Sequence, residues 1–351
     1  MRSLFALVVC AGVVAPAAAQ EKLKVGDKAP PVKATKWLQG AEVKEFAEGK
    51  TYVMEFWATW CGPCIVMMPH MGELQAHYKD KVTFIGYSAK DPNNTQEKVT
   101  AFVEKRGPKL GYTFAYADDR ETYDAWMKAA GQNGIPCCFV VDKAGKIAYI
   151  GHPMYLDVVL PKVVAGKWTG ADADGMKAVE KDVSAVFMAT RDADPEVFLT
   201  ALADFEKKHP ELASIPYFQG PKLASLVKAK KTDEAKKMAE ALVAKGIKTE
   251  DTGMLRNVSG ALTGPAAKEN KELLALGLKA AEAGVKVAGE KDAVALYFLA
   301  EAHFAAGDKA KAKEIGAKAV SVAEGGIKTQ LERLTKKYED KKDEKKDEKK
   351  D

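Results

Sequence analysis

The sequence predicts an α/β domain followed by an all-helical domain. From residue 22 to about 167, apolar runs of strand length alternate with helix-like segments and with glycine and proline. After residue 175 the composition shifts to Ala, Lys, Glu and Leu at helical spacing, with Gly or Pro between segments of helix length. The chain of 351 residues is also too long for one core of ordinary size.

Composition excludes several classes of protein. Hydrophobic residues make up 47% and charged residues 29%, which is a globular balance. The 54 basic and 49 acidic residues are interleaved and give a net charge of +5, so we expect no nucleic-acid partner. Five cysteines are too few for a disulfide scaffold of this length, and any bridge is therefore expected to serve chemistry.

The first 20 residues have the pattern of a secretory signal. Arg2 supplies a positive start, residues 4–14 are apolar, and residues 17–19 are small enough for cleavage. The apolar run is shorter than the roughly 20 residues of a membrane span, although a retained anchor stays an alternative. We expect residues 1–19, with Cys10, to be removed. The mature protein is then expected to be soluble and periplasmic or otherwise extracytoplasmic, where disulfides persist.

The α/β part contains one predicted strand-turn-helix unit of special interest. Residues 52–58 form a mostly apolar run that leads directly into Cys-Gly-Pro-Cys at 61–64 and an amphipathic stretch at 65–78. Residues 166–175 are small and polar and are expected to form a linker. The other predicted elements are strands at 82–88, 139–142 and 146–150 and helices at 95–105 and 157–165.

The helical half carries hints of repeated hairpins. Gly-Ile-Lys-Thr occurs at 246–249 and again at 326–329. One segment resembles a tetratricopeptide unit in its small residues and its turn glycine, namely Leu299, Ala300, Ala302, Gly307, Ala312 and Ala319. In the same segment, however, Gly316 stands where such a unit has a large side chain, so a repeat array and a plain helical bundle both stay open.

The last residues, 336–351, alternate pairs of Lys with pairs of Asp or Glu and contain one aromatic residue, Tyr338. We expect this segment to bury nothing and to form a charged tail. The predicted divisions are thus a signal at 1–19, a redox domain at 20–168, a helical domain at 171–335 and the tail.

The Cys-Gly-Pro-Cys motif is the strongest chemical signal. At the start of a helix, Cys61 lies near unpaired N–H groups and the positive end of the dipole, which favour the thiolate and make it the attacking sulfur. Cys64 lies one turn later and is expected to resolve a mixed disulfide from a more buried position. A permanent disulfide and half of a zinc site are alternatives. Zinc would need a second spaced pair, whereas the remaining cysteines, 137–138, are adjacent.

The motif in its context, Phe-Trp-Ala-Thr-Trp-Cys-Gly-Pro-Cys at 56–64 with Gly-Ile-Pro at 134–136, resembles the thioredoxin-like domain of the TlpA-type extracytoplasmic thiol-disulfide oxidoreductases. The resemblance spans roughly residues 22–167. It implies a central mixed sheet flanked by helices and a reversible Cys61–Cys64 disulfide with no bound organic cofactor. It also implies a cis peptide bond before Pro136.

A cis bond there would turn the preceding backbone toward the dithiol, so that Ile135 could pair with an extended substrate by strand addition. The alternative is a trans turn proline. Trp57 and Trp60 are expected to form an apolar floor beside the dithiol, with Trp60 the more exposed of the two. The predicted substrate-binding residues are Trp60, Gly62, Pro63, Ile135 and Pro136.

Glu55 is an acid in an otherwise apolar strand, where burial should raise its pKa and suit it to moving a proton. Thioredoxin has an Asp at this spacing, so the resemblance implies that Glu55 takes the proton from Cys64 during resolution. The alternative is a wet strand end on which Glu55 is merely solvated.

The sequence departs from the family at two places. Residues 65–68 are wholly apolar where many relatives carry an acid, and Cys137 and Cys138 follow the proline where relatives have a small residue. Cys137 is a possible accessory thiol near Cys61, but packing of both cysteines as small hydrophobes is favoured. We expect no metal, because no two histidines stand at ligand spacing on one helix among His70, His77, His152, His209 and His303.

The sequence therefore predicts an exported disulfide reductase acting on proteins. The Gly-Pro pair resembles that of thioredoxin, whose potential is about −270 mV, and this favours a reductant. Such a protein needs a membrane-side electron donor, and its helical domain is a further place for a protein partner. One alternative is a peroxiredoxin-like peroxidase, disfavoured because Ala58 stands where that family has Thr. The other is a helical scaffold with an accessory redox domain.

Overall fold

The computed structural model describes residues 22–339. The predicted signal at 1–19, with Cys10, and the end of the predicted tail at 340–351 lie outside the described residues. Within 22–339, no helix is both long enough and apolar enough to cross a membrane.

The first domain is built on a six-stranded mixed sheet with the order β1-β4-β3-β2-β5-β6. Strands β2, β3 and β4 run parallel, whereas β1, β5 and β6 are each antiparallel to the strand that they join. The strands are β1 (Lys36–Gln39), β2 (Thr51–Phe56), β3 (Val82–Ala89), β4 (Thr113–Ala117), β5 (Cys137–Val141) and β6 (Ile147–Gly151).

Helices cover both faces of this sheet, so every residue of β2 is buried. Val53 and Trp57 face one core, and Met54 and Phe56 face the other, as the alternation of a strand requires. The helices are α1 (Gly62–Tyr78), α2 (Gln96–Leu110), α3 (Glu121–Tyr123), continued by a π-helical turn at Asp124–Lys128, and α4 (Leu156–Val164).

The predicted fold class is confirmed for both domains. The predicted strands and helices of the first domain are present with shifted ends, whereas β1 and β4 were not predicted. Strand β1 has only four residues, and a register shift between Trp37 and Gln39 interrupts its pairing with β4. A pattern this short gives no clear period of two.

The predicted linker at 166–175 is wrong. Helix α5 (Gly170–Ala189) begins inside it, because Thr169 and Asp172 form a reciprocal capping box. Just before the helix, the Trp168 indole N–H donates to the Ala148 carbonyl at 2.8 Å. The small polar residues thus form the start of a helix, and Trp168 just before it is hydrogen-bonded to β6 of the sheet.

The second domain consists of helices, each of which packs against the next one along the chain. Within the described chain they continue from α5 with α6 (Pro195–Lys208), α7 (Pro216–Lys228), α8 (Thr232–Lys248), α9 (Thr252–Thr263), α10 (Lys271–Ala288), α11 (Ala293–Ala305), α12 (Lys309–Val322) and α13 (Gly325–Thr335).

The segment that resembles a tetratricopeptide unit is a helical hairpin. Helices α11 and α12 meet at Gly307, which has a φ of 90°, and Ala300, Ala312 and Ala319 are fully buried. The repeated tetrapeptide does not mark a repeat. Its first copy, at Gly246, lies in the last turns of α8, and its second, at Gly326, lies in the first turn of α13.

The expectation that nothing after residue 336 is buried is wrong at Tyr338. This residue is buried, its ring packs beside Phe304, and its hydroxyl donates to Glu301. A Cβ at Gly316 would come within 2.9 Å of the Tyr338 ring. Tyr338 therefore fills the space that the large residue of a tetratricopeptide unit would occupy.

The two domains share one apolar core. The cluster that contains Trp57, Cys61 and Cys64 continues without a break through Val183 on α5 to Phe218 on α7. The helical domain is consequently packed against the face of the sheet that carries α1.

Candidate redox site

The two cysteines of the motif form a disulfide at the start of α1. Cys61 is the N-cap residue, and its Sγ accepts a hydrogen bond from the backbone N–H of Cys64 at 3.2 Å. Cys61 is 4% exposed, and Cys64 is completely buried. Cys61 thus lies at the helix N-terminus, where the thiolate is favoured, and Cys64 is the more buried of the two, as predicted. The expectation that the helix start exposes the Cys61 sulfur is wrong for this disulfide form, in which Cys61 is buried as well.

A buried hydrogen-bond network holds the loop that precedes the dithiol. The side-chain oxygen of Asn94 accepts from both the backbone N–H and the hydroxyl of Thr59, each at 2.9 Å. The Asn94 amide donates to Ser88 Oγ at 2.8 Å, and Ser88 donates to the Trp57 carbonyl at 3.0 Å. Sequence reasoning missed Asn94 and Ser88, although the turn-forming residues at 91–94 gave a local signal.

The Ile135–Pro136 peptide bond is cis, as the resemblance implied. It directly precedes β5, whose first residue, Cys137, pairs with Phe56 at the end of β2. The loop before Pro136 therefore lies beside the loop that carries the dithiol.

These two loops border a cavity of about 460 Å³. Trp60 is 55% exposed at its rim, and its indole N–H donates to Asp91 at 2.9 Å. Arg120 lies over the ring of Tyr123 at 3.9 Å on the same cavity. Ile135 and Trp60 thus line one cavity together, and the lining further includes the aromatic residues Phe56, Trp57 and Tyr87.

Glu55 lies inside the core, and the alternative of a wet strand end is wrong. Its side chain is 1% exposed, both carboxyl oxygens lack a hydrogen-bond partner in the described chain, and burial raises its pKa well above the usual value. Its neighbours across the sheet are Gly86 on β3 and Cys138 on β5. Glu55 is buried because helices cover both faces of the central strand β2.

Near Glu55, two further polar atoms are buried without partners among the described residues, the Trp57 indole nitrogen and the Tyr112 hydroxyl. A Cβ at Gly86 would lie 3.2 Å from that indole nitrogen. The space over Gly86 therefore borders a polar atom of Trp57 in an otherwise apolar core.

Cys137 and Cys138 are both buried free thiols in β5, which agrees with the favoured packing interpretation. Burial raises the pKa of Cys137 to about 12 and also raises the pKa of Cys138 well above its usual value. The two point to opposite faces, and it is Cys138 that shares the core of Cys61 and Cys64. The cysteine on the dithiol side of the sheet is thus Cys138 rather than Cys137.

His70 on α1 is the centre of an ionic cluster. Its Nε2 lies 2.7 Å from Asp157 on α4, and its Nδ1 lies 3.6 Å from Glu73. Burial alone lowers the pKa of His70, but the hydrogen bonds to Asp157 and Glu73 outweigh burial and raise it to about 9. Glu73 also forms an ion pair with Lys245 of the helical domain, at 2.7 Å. The hydrogen bonds from His70 and Lys245 lower the pKa of Glu73 to about 2.

The helical domain reaches the motif itself. The hydroxyl of Tyr217 on α7 donates to the carbonyl of Pro63 at 2.8 Å, and its ring lies 5.5 Å from that of His152, just after β6. Burial lowers the pKa of His152 to about 4. Sequence reasoning missed Tyr217, because no local pattern links it to a residue 154 positions away.

The chain is similar to redox proteins over its first half. A model of the Redoxin family matches residues 24–154. Protein FixW of Rhizobium leguminosarum is 34% identical over 159 residues, which are 44% of this chain and 72% of FixW. Thiol-disulfide oxidoreductase ResA of Bacillus thuringiensis is 35% identical over 132 residues, 36% of this chain and 69% of ResA.

Solved structures also match this part. A thiol:disulfide interchange protein of Chlorobium tepidum aligns over 39% of this chain and 96% of its own, with 24% identity and a TM-score of 0.32.

Proposed function

Because the chain belongs to the thioredoxin-like thiol-disulfide oxidoreductases of the TlpA and ResA type, we propose that it is an exported reductase of protein disulfides. The observation that carries the proposal is the position of the disulfide. Cys61 caps α1 directly after Trp60, which lines the cavity together with Ile135, and Cys61 keeps a small exposed surface whereas Cys64 is completely buried, so a client cysteine reaches Cys61 first.

The reaction proceeds in two exchanges. In the reduced protein the Cys61 thiolate attacks one sulfur of a client disulfide. A mixed disulfide forms, and the other client sulfur leaves as a thiolate. The Cys64 thiolate then attacks Cys61 Sγ and releases the second client thiolate. Two electrons pass to the client, and the protein ends in the disulfide form. A membrane-side donor of two electrons has to restore the dithiol.

Glu55 is proposed to take the proton of Cys64 in the second exchange. A thiol ordinarily has a pKa near 8.5, far above that of an exposed carboxyl group. Burial raises the pKa of Glu55 and so brings it closer to that of a thiol. Proton transfer between groups of similar pKa has a small energetic cost, which supports this role.

Export and the reducing direction rest on the sequence. Residues 1–19 have the signal pattern, and the Gly-Pro pair at 62–63 resembles that of thioredoxin. N-terminal sequencing of the protein from its own cells should begin near Gln20. An intact Met1 would contradict export. Titration against glutathione should give a potential nearer to that of thioredoxin than to that of a strong oxidant.

The principal test uses matched cysteine variants. The wild-type protein should reduce insulin disulfides, and Cys61→Ser should abolish this activity. Cys64→Ser expressed in its own compartment should retain client proteins as adducts that dithiothreitol releases, whereas Cys61→Ser should retain none. The absence of both insulin reduction and adducts would refute the proposal. Consumption of peroxide without a disulfide client would instead favour a peroxidase.

Glu55→Gln tests the proton step separately. The variant keeps the size of the side chain but cannot accept a proton, so insulin reduction should slow by one to two orders of magnitude. Formation of the first mixed disulfide, measured in the Cys64→Ser background, should be unchanged, because that exchange does not involve Cys64. An unaltered overall rate at every pH would exclude Glu55 from the step.

A further inference from the structure

The edge of the sheet that carries the dithiol has a fixed order of loops. From β3 to β6 these are the loop of Asp91, the loop of Cys61 after β2, the loop of Ile135 before β5, and the loop of His152 after β6. Strands β2 and β6 are both antiparallel to β5, so the ends of β2 and β6 meet the start of β5 at one edge. The loop of His152 is therefore the last of the four loops at this edge.

The helical domain continues this edge. Tyr217 bridges the start of α1 and the loop of His152, because its hydroxyl donates to the Pro63 carbonyl at 2.8 Å and its ring packs against His152. Phe187, at the end of α5, lies 6.5 Å from the Tyr217 ring and 4.9 Å from that of Phe218. These contacts fix two aromatic rings of the second domain beside the active-site turn.

Both rings are partly exposed to solvent. Phe187 is 36% exposed, Tyr217 is half-buried, and Pro63 between them and Cys61 is exposed. Trp60, on the opposite flank of the dithiol, is 55% exposed. A scattered exposed aromatic side chain needs no explanation, but here exposed aromatic rings stand on both sides of a reactive disulfide.

We propose that Tyr217 and Phe187 form a second wall of the client site, which receives a large apolar side chain next to the reacting cysteine. This inference rests on the proposed function. The occupant is an extended segment of the client protein, because a mixed disulfide bonds the client cysteine to Cys61. Pairing with Ile135 then directs the segment along the edge of the sheet. The wall is continuous with that site through Pro63 and His152.

The alternation of an extended chain sets the design of the test. Residues two positions from the client cysteine point to the same side as the cysteine, toward the protein. We would prepare disulfide-linked peptides with Leu or with Ser two positions before and two positions after the cysteine. The measured quantity is the ratio of kcat/KM for the Leu peptide to that for the Ser peptide.

In the wild-type protein the Leu peptide should be reduced roughly tenfold faster, the selectivity that an apolar pocket gives for a few methylene groups. Phe187→Ser should bring the ratio close to one. The matched control is Ile327→Ser on α13, where Ile327 is 49% exposed far along the helical domain, and it should leave the ratio unchanged.

The outcomes separate the two proposals. Equal reduction of both peptides by the wild type, or a ratio that survives Phe187→Ser, would overturn the second wall and leave the reductase proposal intact. Reduction of neither peptide would contradict the reductase proposal itself.

A second measurement leaves the wall unaltered and does not depend on the folding of Phe187→Ser. A peptide with a benzophenone side chain two positions from its cysteine would be trapped on Cys64→Ser and irradiated. Mass spectrometry should find cross-links at the end of α5 or the start of α7. Cross-links confined to residues 22–168 would overturn the inference.

Discussion

Replacement of Glu55 by Gln should change how the stability of the protein depends on pH. Glu55 is fully buried without a partner in the described chain, and burial raises its pKa well above 4.5. Between pH 4.5 and the raised pKa, the unfolded chain releases this proton while the folded protein keeps it. The unfolded state then binds fewer protons, so the free energy of unfolding falls as pH rises.

The magnitude follows from linkage. One proton released only in the unfolded state changes the free energy of unfolding by at most ~1.4 kcal/mol per pH unit. Gln is nearly the same size and does not titrate, so the variant lacks this loss. Between pH 5 and pH 6, its stability relative to wild type should therefore rise by about 1 kcal/mol, since some unfolded Glu is still protonated at pH 5.

The assay is urea unfolding of the oxidised proteins at both pH values, with the slope m compared to confirm a common transition. Glu104→Gln, which removes an exposed carboxyl group from α2, reports the effect of the substitution itself. A stability difference that is independent of pH, or that shrinks as pH rises, would refute the assignment of a buried protonated carboxyl group.

The remaining predictions concern three other contacts. His70→Gln should cost about 2 kcal/mol at pH 6, because a folded pKa raised to about 9 stabilises the fold fully below 6.5, and urea unfolding should show the cost shrinking as pH rises through 9. Constant cost across that range would contradict the ion pair with Asp157. Gly316→Ala gains up to about 1 kcal/mol of helix propensity but forces the Tyr338 ring aside, so we expect a net loss of about 1 kcal/mol and a lower Tm by calorimetry. A higher Tm would show that the ring yields freely. Asn94→Ala leaves the loop of the dithiol without its buried acceptor and should cost about 2 kcal/mol, with faster amide exchange at Thr59 as the local readout.

The parts of the site that sequence reasoning found are those with local signals. The Cys61–Cys64 pair and its place at a helix start follow from a contiguous motif, and the cis bond at Pro136 follows from the family resemblance that this motif and one tripeptide carry. The burial of Glu55 follows from the apolar run around it. In each case a few neighbouring residues carry the information.

The missed features depend on contacts between distant segments. Tyr217 meets Pro63 across 154 positions, and Tyr338 packs on Gly316 from a segment whose composition is almost wholly charged. The overall composition of that segment is charged and therefore does not reveal that one of its side chains, Tyr338, is buried. The missed helix start at residues 169–172 is different, because its signal is local: the small polar residues after Lys167 suggest a linker until Thr169 and Asp172 are recognised as a cap.

The core that runs from the dithiol into the helices determines where this chain can be divided. A cut after residue 168 would remove the cover from Met154, Leu160 and Val163, which pack in the same cluster as residues of α5 and α6. The catalytic half is therefore not an interchangeable cassette. A chimera that joins it to another helical half has to supply a complementary apolar surface. The half that carries the dithiol, taken alone, would expose these apolar residues to water and fold poorly.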